Sequence, residues 1–208
     1  MFNHRLFKPF FQIGLLVTGL LAVTGWMLTQ QAETAVAAPA ADSCFVSVNN
    51  SGTTDYASGD ASAVQTAVNA ANPNDTLKIA GTCAGVQQVA GITQTVYISQ
   101  NLTLQGGYVN GSWNATPDPD VNPTVLDAQS NGRVVYIPSG IDVTLEGLTM
   151  QNGFSTGNGG GIYDADGALT LLNSIVQQNQ AQDDGGGVWK ASGTLILTGT
   201  QVLSNTAE

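Results

Sequence analysis

The sequence predicts an all-β protein: a right-handed, single-stranded parallel β-helix with a short N-terminal capping α-helix. Three observations lead to this prediction. The segment "GGGIY" (159–163) recurs as "GGGVW" (185–189), 26 residues later. The segments "VTL" (143–145), "LTL" (169–171) and "LIL" (195–197) keep the same offset. Thr, Val, Ile and Leu fill the repeated segments, and this composition favours strands. A repeat of this length built from strands indicates a solenoid.

Residues 1–37 have the layout of a secretory signal peptide. Arg5 and Lys8 precede an apolar run (13–28), and small residues that include Ala35 and Ala37 follow it. We therefore expect cleavage after Ala37 and a secreted or cell-surface location. The alternative is an uncleaved leader that serves as a membrane anchor, since the apolar run is nearly long enough to span a bilayer.

The charge balance excludes one class of partner. The chain has a net charge of -10, and its one histidine lies in the leader. After the leader the cations are Lys78, Arg133 and Lys190. Because so acidic a surface repels phosphate backbones, we expect no nucleic-acid partner.

Two cysteines, Cys44 and Cys83, follow the leader. An exported chain meets an oxidising compartment, so we expect them to form a disulfide. This bond would tie the start of the mature chain to the first part of the repeats.

The segment 38–76 is predicted to contain an N-terminal strand and the capping helix. In "DASAVQTAVNAANP" (60–73), apolar residues that include Val64 and Val68 fall on one helical face. Asp60 precedes the helix as a capping residue and Pro73 lies beyond its end. Such a helix would cover the open end of the first coil, as the terminal units of solenoids require.

Residues 77–208 are predicted to form the β-helix repeats, with a long loop at 106–124. Equivalent side chains of stacked coils form columns. We expect Asn152, Asn179 and Asn205 to form a structural asparagine column at a corner. Asp164 and Lys190 are expected to face each other on the outside of neighbouring coils. The sequence ends within a repeat, which predicts a C-terminally truncated chain or a partner that covers the last strand edge.

These repeats resemble two groups of known proteins. "GGGI" and "GGGV", with "VQQN" and "VLSN", are similar to the Gly-Gly-Ala-Ile and Phe-x-x-Asn repeats of chlamydial polymorphic outer membrane proteins, although Val176 and Val202 replace the phenylalanine. "LTLQGGY", "PTVLDAQSNGRVVYI" and "VTLEGLTMQNG" more closely resemble exported right-handed β-helix proteins of the pectin lyase-like superfamily. The resemblance covers residues 77–208 and implies the fold. It leaves function open, because that superfamily contains lyases, hydrolases and adhesins.

The alternative function is a polysaccharide-active enzyme. A pectate lyase-like mechanism implies a basic residue beside calcium-binding carboxylates, but Arg133 falls opposite Gly160 in a turn and is interpreted as a surface charge. A polygalacturonase-like mechanism implies neighbouring aspartates such as Asp183 and Asp184. The Gly-His-Gly and Arg-x-Lys segments of that family are missing. We therefore assign no catalytic residue.

Calcium is the one cofactor that the sequence suggests, and no cofactor is required. The turns "DADG" (164–167) and "QDDGGG" (182–187) offer the hard oxygen ligands that calcium prefers. The candidate ligands are Asp164, Asp166, Asp183 and Asp184.

Aromatic residues suggest a carbohydrate platform. Tyr136, Tyr163 and Trp189 follow one another at offsets of 27 and 26, and the long loop adds Tyr108 and Trp113. A packing column is the competing interpretation. We therefore predict a non-catalytic surface or secreted protein with an adhesin-like or structural role, whose partner is a polysaccharide or another cell-surface protein.

Overall fold

The computed structural model describes residues 43–49 and 51–208. This part of the chain forms a parallel β-solenoid of about five turns with a single short helix, which confirms the predicted fold class. The predicted signal peptide (1–37) lies outside the described residues. The helix is nine residues long, so no helix in the described ranges has the length and apolar character needed to cross a membrane.

The strands are short and the helix interrupts them near the N-terminus. In chain order the elements are β1 (Cys44–Val48), β2 (Tyr56–Ser58), α1 (Ser62–Ala70), β3 (Thr76–Ala84), β4 (Gln87–Val89), β5 (Ile92–Tyr97), β6 (Leu102–Tyr108), β7 (Thr124–Asp127), β8 (Arg133–Ile137), β9 (Val143–Glu146), β10 (Leu148–Gln151), β11 (Phe154–Ser155), β12 (Ile162–Asp164), β13 (Ala168–Leu172), β14 (Ile175–Gln177), β15 (Gln180–Ala181), β16 (Val188–Lys190), β17 (Thr194–Thr198), β18 (Gln201–Leu203) and β19 (Thr206–Ala207).

Parallel pairing between coils builds the faces of the solenoid. One face stacks β6, β9, β13 and β17, and a second stacks β7, β10, β14 and β18; the long strand β3 joins both. A third face stacks β5, β8, β12 and β16, and the three-stranded sheet β11–β15–β19 completes the coil. We call the third face the aromatic face, because each of its four strands carries one aromatic residue of the set Tyr97, Tyr136, Tyr163 and Trp189.

Alternation along each strand creates the core. Leu104, Leu145 and Leu171 lie at the same register position of successive coils and are fully buried. A tight corner follows, where Gly147 and Asn173 occupy equivalent positions with φ of +61° and +46°. Residues that tolerate positive φ are needed there, because the chain must turn sharply between two strands.

The N-terminal end is covered as the sequence predicts. Strand β1 pairs antiparallel with β3, and the disulfide Cys44–Cys83 joins these strands with a Cα–Cα distance of 4.7 Å. Val64 and Val68 of α1 are fully buried in the core cluster. The Asp60 carboxylate accepts a hydrogen bond from the Ser62 backbone N–H at 2.9 Å, so it caps the first helical residue from two positions upstream.

The last described coil is more open than those before it. Leu195, Leu197 and Val202 continue the buried columns of the preceding coils, yet they are 40%, 47% and 47% exposed. Their exposure follows from their position in the stack, because only one neighbouring coil packs against them.

Candidate functional site

A continuous ladder of stacked aromatic rings runs along the aromatic face. Strand register places Tyr97 opposite Tyr136, Tyr136 opposite Tyr163, and Tyr163 opposite Trp189. Ring centroids are 5.3, 4.7 and 4.6 Å apart, with interplanar angles of 12°, 3° and 27°. Tyr97 is an additional member that the sequence analysis missed, because the loop 109–123 lengthens its coil and breaks the period of 26 to 27 residues.

The ladder offers ring edges to solvent. The faces of Tyr136 and Tyr163 are covered by neighbouring rings on both sides, and all four side chains are half-buried. The hydroxyl groups of Tyr97, Tyr136 and Tyr163 donate no hydrogen bond to another described residue, whereas that of Tyr108 bonds to Gln105. The ladder therefore combines a packed, rigid spine with a row of phenol groups that are free to bond a ligand.

Arg133 lies against this ladder. Its guanidinium carbon is 5.2 Å from the centre of the Tyr163 ring and 5.9 Å from that of Tyr136. Its Nε and Nη2 atoms donate to the Asn158 carbonyl at 3.2 and 3.0 Å. Burial lowers the pKa of the guanidinium, while the neighbouring phenols raise it. The two hydrogen bonds to the Asn158 carbonyl hold the side chain in place beside the edges of the rings.

The prediction that Arg133 lies in a turn is wrong. Strand β8 begins at Arg133, which pairs with Gln94 of β5, whereas the equivalent strand of the next coil begins later, at Ile162. Arg133 does lie opposite Gly160, as the repeat predicts. It belongs to a strand nevertheless, because strand lengths differ between neighbouring coils.

Tyr108 and Trp113 do not extend the exposed aromatic row. Trp113 is fully buried and Tyr108 is 5% exposed, in a separate cluster with Ala80. The Trp113 indole N–H donates to Thr54 Oγ1 at 3.1 Å, and the Trp113 backbone carbonyl accepts a hydrogen bond from Lys78 Nζ at 2.5 Å. This part of the predicted platform is wrong, because the two rings anchor the long loop onto the solenoid.

Asp164 and Lys190 lie at equivalent positions of adjacent coils, but the predicted outside location is wrong. Tyr163 points outward, so its neighbour Asp164 points into the coil, in line with Ile137, and is 0% exposed. The Lys190 Nζ–Asp164 Oδ2 distance is 2.5 Å, and Lys190 also donates to the Gly167 carbonyl. Burial raises the pKa of the Asp164 carboxyl, against the hydrogen bond and charge of Lys190, which lower it.

The four predicted calcium ligands are not brought together. Asp164 accepts a hydrogen bond from Lys190 inside the coil, and Asp166 accepts a hydrogen bond from Ser192 Oγ at 2.9 Å. Asp183 and Asp184 are exposed on another turn. No group of three or more His, Cys, Asp or Glu side chains in residues 43–49 and 51–208 is arranged to hold a metal ion. Calcium binding stays a prediction that rests on the exposed pair alone.

The predicted asparagine column is wrong at its first member. The strand register makes Asn152 equivalent to Gln178, both at positive φ, and makes Gly153 equivalent to Asn179. Asn152 instead donates to Asp127. Asn152 and Asn179 are 27 residues apart, whereas paired residues of these two coils are 26 apart, so the two asparagines are out of register by one residue.

The structure does bring Asn179 and Asn205 together. Asn179 Nδ2 donates to Asn205 Oδ1 at 2.9 Å and to the Met150 carbonyl at 3.2 Å. Its Oδ1 accepts from the Gly153 N–H at 2.7 Å. These amides satisfy backbone groups at a buried corner, which is a structural role.

A cleft of about 360 Å³ lies elsewhere on the surface, at the corner between the first two faces. Its lining includes Gly147, Asn173 and Gly199, together with Pro119 and Asp120 of the long loop. Asp120 is the one ionisable side chain in its lining. General acid–base cleavage of a glycosidic bond calls for two groups of different pKa, which this lining does not supply.

The aromatic face is thus the strongest candidate site, because it joins stacked rings, unbonded hydroxyls and a fixed guanidinium. Comparisons with protein-family models, curated proteins and solved structures gave no match to the chain, so its function is inferred from this geometry.

Proposed function

We propose that the protein is an exported, non-catalytic surface or secreted protein with an adhesin-like role, and that its aromatic face binds polysaccharide. The ladder carries the proposal. It presents ring edges and phenol hydroxyls at a repeat of 4.6 to 5.3 Å along the solenoid axis. An extended saccharide has a matching chemistry, since it offers alternating C–H and O–H groups along its length.

Rigidity supports the same role. Each ladder strand is hydrogen-bonded to its neighbour, so the row of binding groups is fixed before any ligand arrives. A pre-organised surface loses little conformational entropy on binding, which raises affinity for a weakly interacting ligand such as a sugar chain.

The engagement of the cations supports a non-catalytic role. Lys78 donates to the Trp113 carbonyl, Arg133 donates to the Asn158 carbonyl, and Lys190 is ion-paired inside the coil. These are the cations that follow the predicted leader. A catalytic base has to reach the proton that it removes, and groups held in this way are poorly placed to do so.

A binding and cleavage panel tests the proposal. Purified protein is incubated with immobilised neutral and acidic polysaccharides, and the recovered sugars are assayed for reducing ends and unsaturated products. We expect retention on at least one polysaccharide with no products. Release of products would favour the alternative of a polysaccharide-active enzyme, and retention on none would refute the binding role.

Cell fractionation of the native host tests the export part. We expect the protein in the medium or on the cell surface, with the leader removed. Accumulation in the cytoplasm would contradict it.

A further inference from the structure

The side chains of Asp183 and Arg133 lie on two sides of Gly157, beside the ladder, and we call the gap between them the slot. A β-carbon on this glycine would be 3.7 Å from Asp183 Oδ2 and 3.9 Å from Arg133 Nη2. The two opposite charges nevertheless form no ion pair, because their nitrogen–oxygen distances exceed 4.0 Å. A carboxylate and a guanidinium thus flank Gly157, each at van der Waals distance from the position that a side-chain methyl group would take.

Gly157 differs from the glycines that follow it. A β-carbon on Gly160 or Gly161 would come within 2.1 or 2.4 Å of a carbonyl oxygen of the next coil, so tight stacking requires glycine there. Gly157 has no such contact and does not adopt a positive φ. A methyl group would therefore fit at Gly157 without a clash or a positive φ, and it would occupy the position between the Asp183 and Arg133 side chains.

We propose that Arg133, Asp183 and Gly157 form a subsite for one sugar residue of a neutral polysaccharide, an inference that rests on the proposed function. Adjacent hydroxyls of a pyranose ring can accept from the guanidinium and donate to the carboxylate at the same time. The guanidinium is held in position by its two hydrogen bonds to the Asn158 carbonyl, while the Asp183 side chain has no hydrogen-bond partner among the described residues.

Charge selects a neutral sugar over an acidic one. Asp183 is exposed at the slot, its neighbour Asp184 is also exposed, and the chain carries a net charge of -10. A uronate would place its carboxylate against these groups, with Arg133 as the single nearby cation. A neutral diol meets both the donor and the acceptor without this repulsion.

Calorimetric titration with three hexasaccharides, cellohexaose, mannohexaose and hexagalacturonate, tests the subsite. Gly157→Ala fills the slot without a steric clash, and Thr156→Ala is the matched control on the exposed neighbouring residue. Asp183→Ala removes the acceptor, and Asp184→Ala removes the adjacent exposed carboxylate as its control. We expect wild type to bind a neutral hexasaccharide, Gly157→Ala and Asp183→Ala to weaken binding about tenfold, and both controls to stay within about twofold.

The outcomes separate the subsite from the proposed function. Unchanged binding by Gly157→Ala and Asp183→Ala would overturn the subsite and leave the ladder proposal standing. Preference for hexagalacturonate would overturn the neutral class. Failure of wild type to bind any of the three probes would overturn the subsite, and if the protein were also retained on no polysaccharide of the panel, the proposed function would fall as well. We expect each variant to have the melting temperature of wild type. If Gly157→Ala lost binding because it unfolded, alanine would not fit at this position, and the proposed slot would be contradicted.

Discussion

Replacing Tyr163 with alanine is the sharpest test of the aromatic ladder's contribution to stability. Tyr163 stacks on Tyr136 at 4.7 Å and on Trp189 at 4.6 Å, so its removal breaks two ring pairs. At about 0.5–1.5 kcal/mol per pair, the loss is about 1–3 kcal/mol. The apolar surface that the half-buried ring covers adds about 1 kcal/mol. Urea denaturation followed by circular dichroism should show the free energy of unfolding reduced by about 2–4 kcal/mol.

Two further substitutions make this prediction discriminating. Tyr163→Phe keeps both ring contacts and removes a hydroxyl with no described protein partner, so we expect a change below about 0.5 kcal/mol. Tyr97→Ala breaks only one ring pair, at 5.3 Å, and should cost about half the stacking energy. If Tyr163→Phe were as costly as Tyr163→Ala, or if Tyr97→Ala were the more damaging of the two alanine variants, stacking would not be what stabilises the ladder.

Three other perturbations test the interior, the charges and the N-terminal bridge. Lys190→Met leaves the buried Asp164 carboxylate unpaired and should lower the free energy of unfolding by about 3 kcal/mol. The double variant Lys190→Met with Asp164→Leu should recover most of this loss. If Lys190→Met alone were as stable in urea as wild type, the buried ion pair would be contradicted. Hydrogen bonds lower the carboxyl pKa values of four aspartates: Asp55, Asp60, Asp75 and Asp166. For Asp55, burial is the largest single effect and raises the pKa, but the hydrogen bonds from Val48, Ser51 and Thr53 together lower it by more. The stabilisation from these four carboxylates is present above the ordinary aspartate pKa and is lost as the pH falls through their lower folded pKa values. Asp164, whose pKa is raised, changes stability in the opposite sense. Urea midpoints measured from pH 7 to pH 3 should fall, and Asp60→Asn should make this fall smaller. Reducing Cys44–Cys83, which closes 39 residues, should lower the free energy of unfolding by about 4 kcal/mol, and a melting temperature unaffected by reductant would contradict that.

The architecture could be predicted from the sequence because it depends on repetition. A regular offset of 26, with apolar residues alternating along each strand, leaves few structures that bury every leucine column. The disulfide and the capping helix could also be predicted, since both follow from local composition. The aromatic ladder was visible for three of its four members because they share the same period.

The errors occur where coils differ in length or where side-chain direction decides the outcome. Tyr97 escaped detection because the loop 109–123 lengthens its coil. Asn152 was misplaced because an offset of 27 was accepted where the strands pair at 26. Asp164 was assigned to the outside of the coil opposite Lys190, although alternation with the outward Tyr163 directs it inward. The burial of Trp113 depends on contacts with Lys78 and Thr54 that are distant in sequence and leave no local signal.

Mapping ligand contacts on the tyrosine rings tests the central claim most directly. Aromatic carbon–proton spectra of the protein are recorded while a polysaccharide fragment that it retains is added. The account predicts that signals of Tyr97, Tyr136, Tyr163 and Trp189 shift in a saturable manner, while those of the buried Tyr108 and Trp113 do not. Shifts confined to the 360 Å³ cleft at the other corner, or no shift of any ladder ring at saturation, would contradict the assignment of the aromatic face as the binding surface.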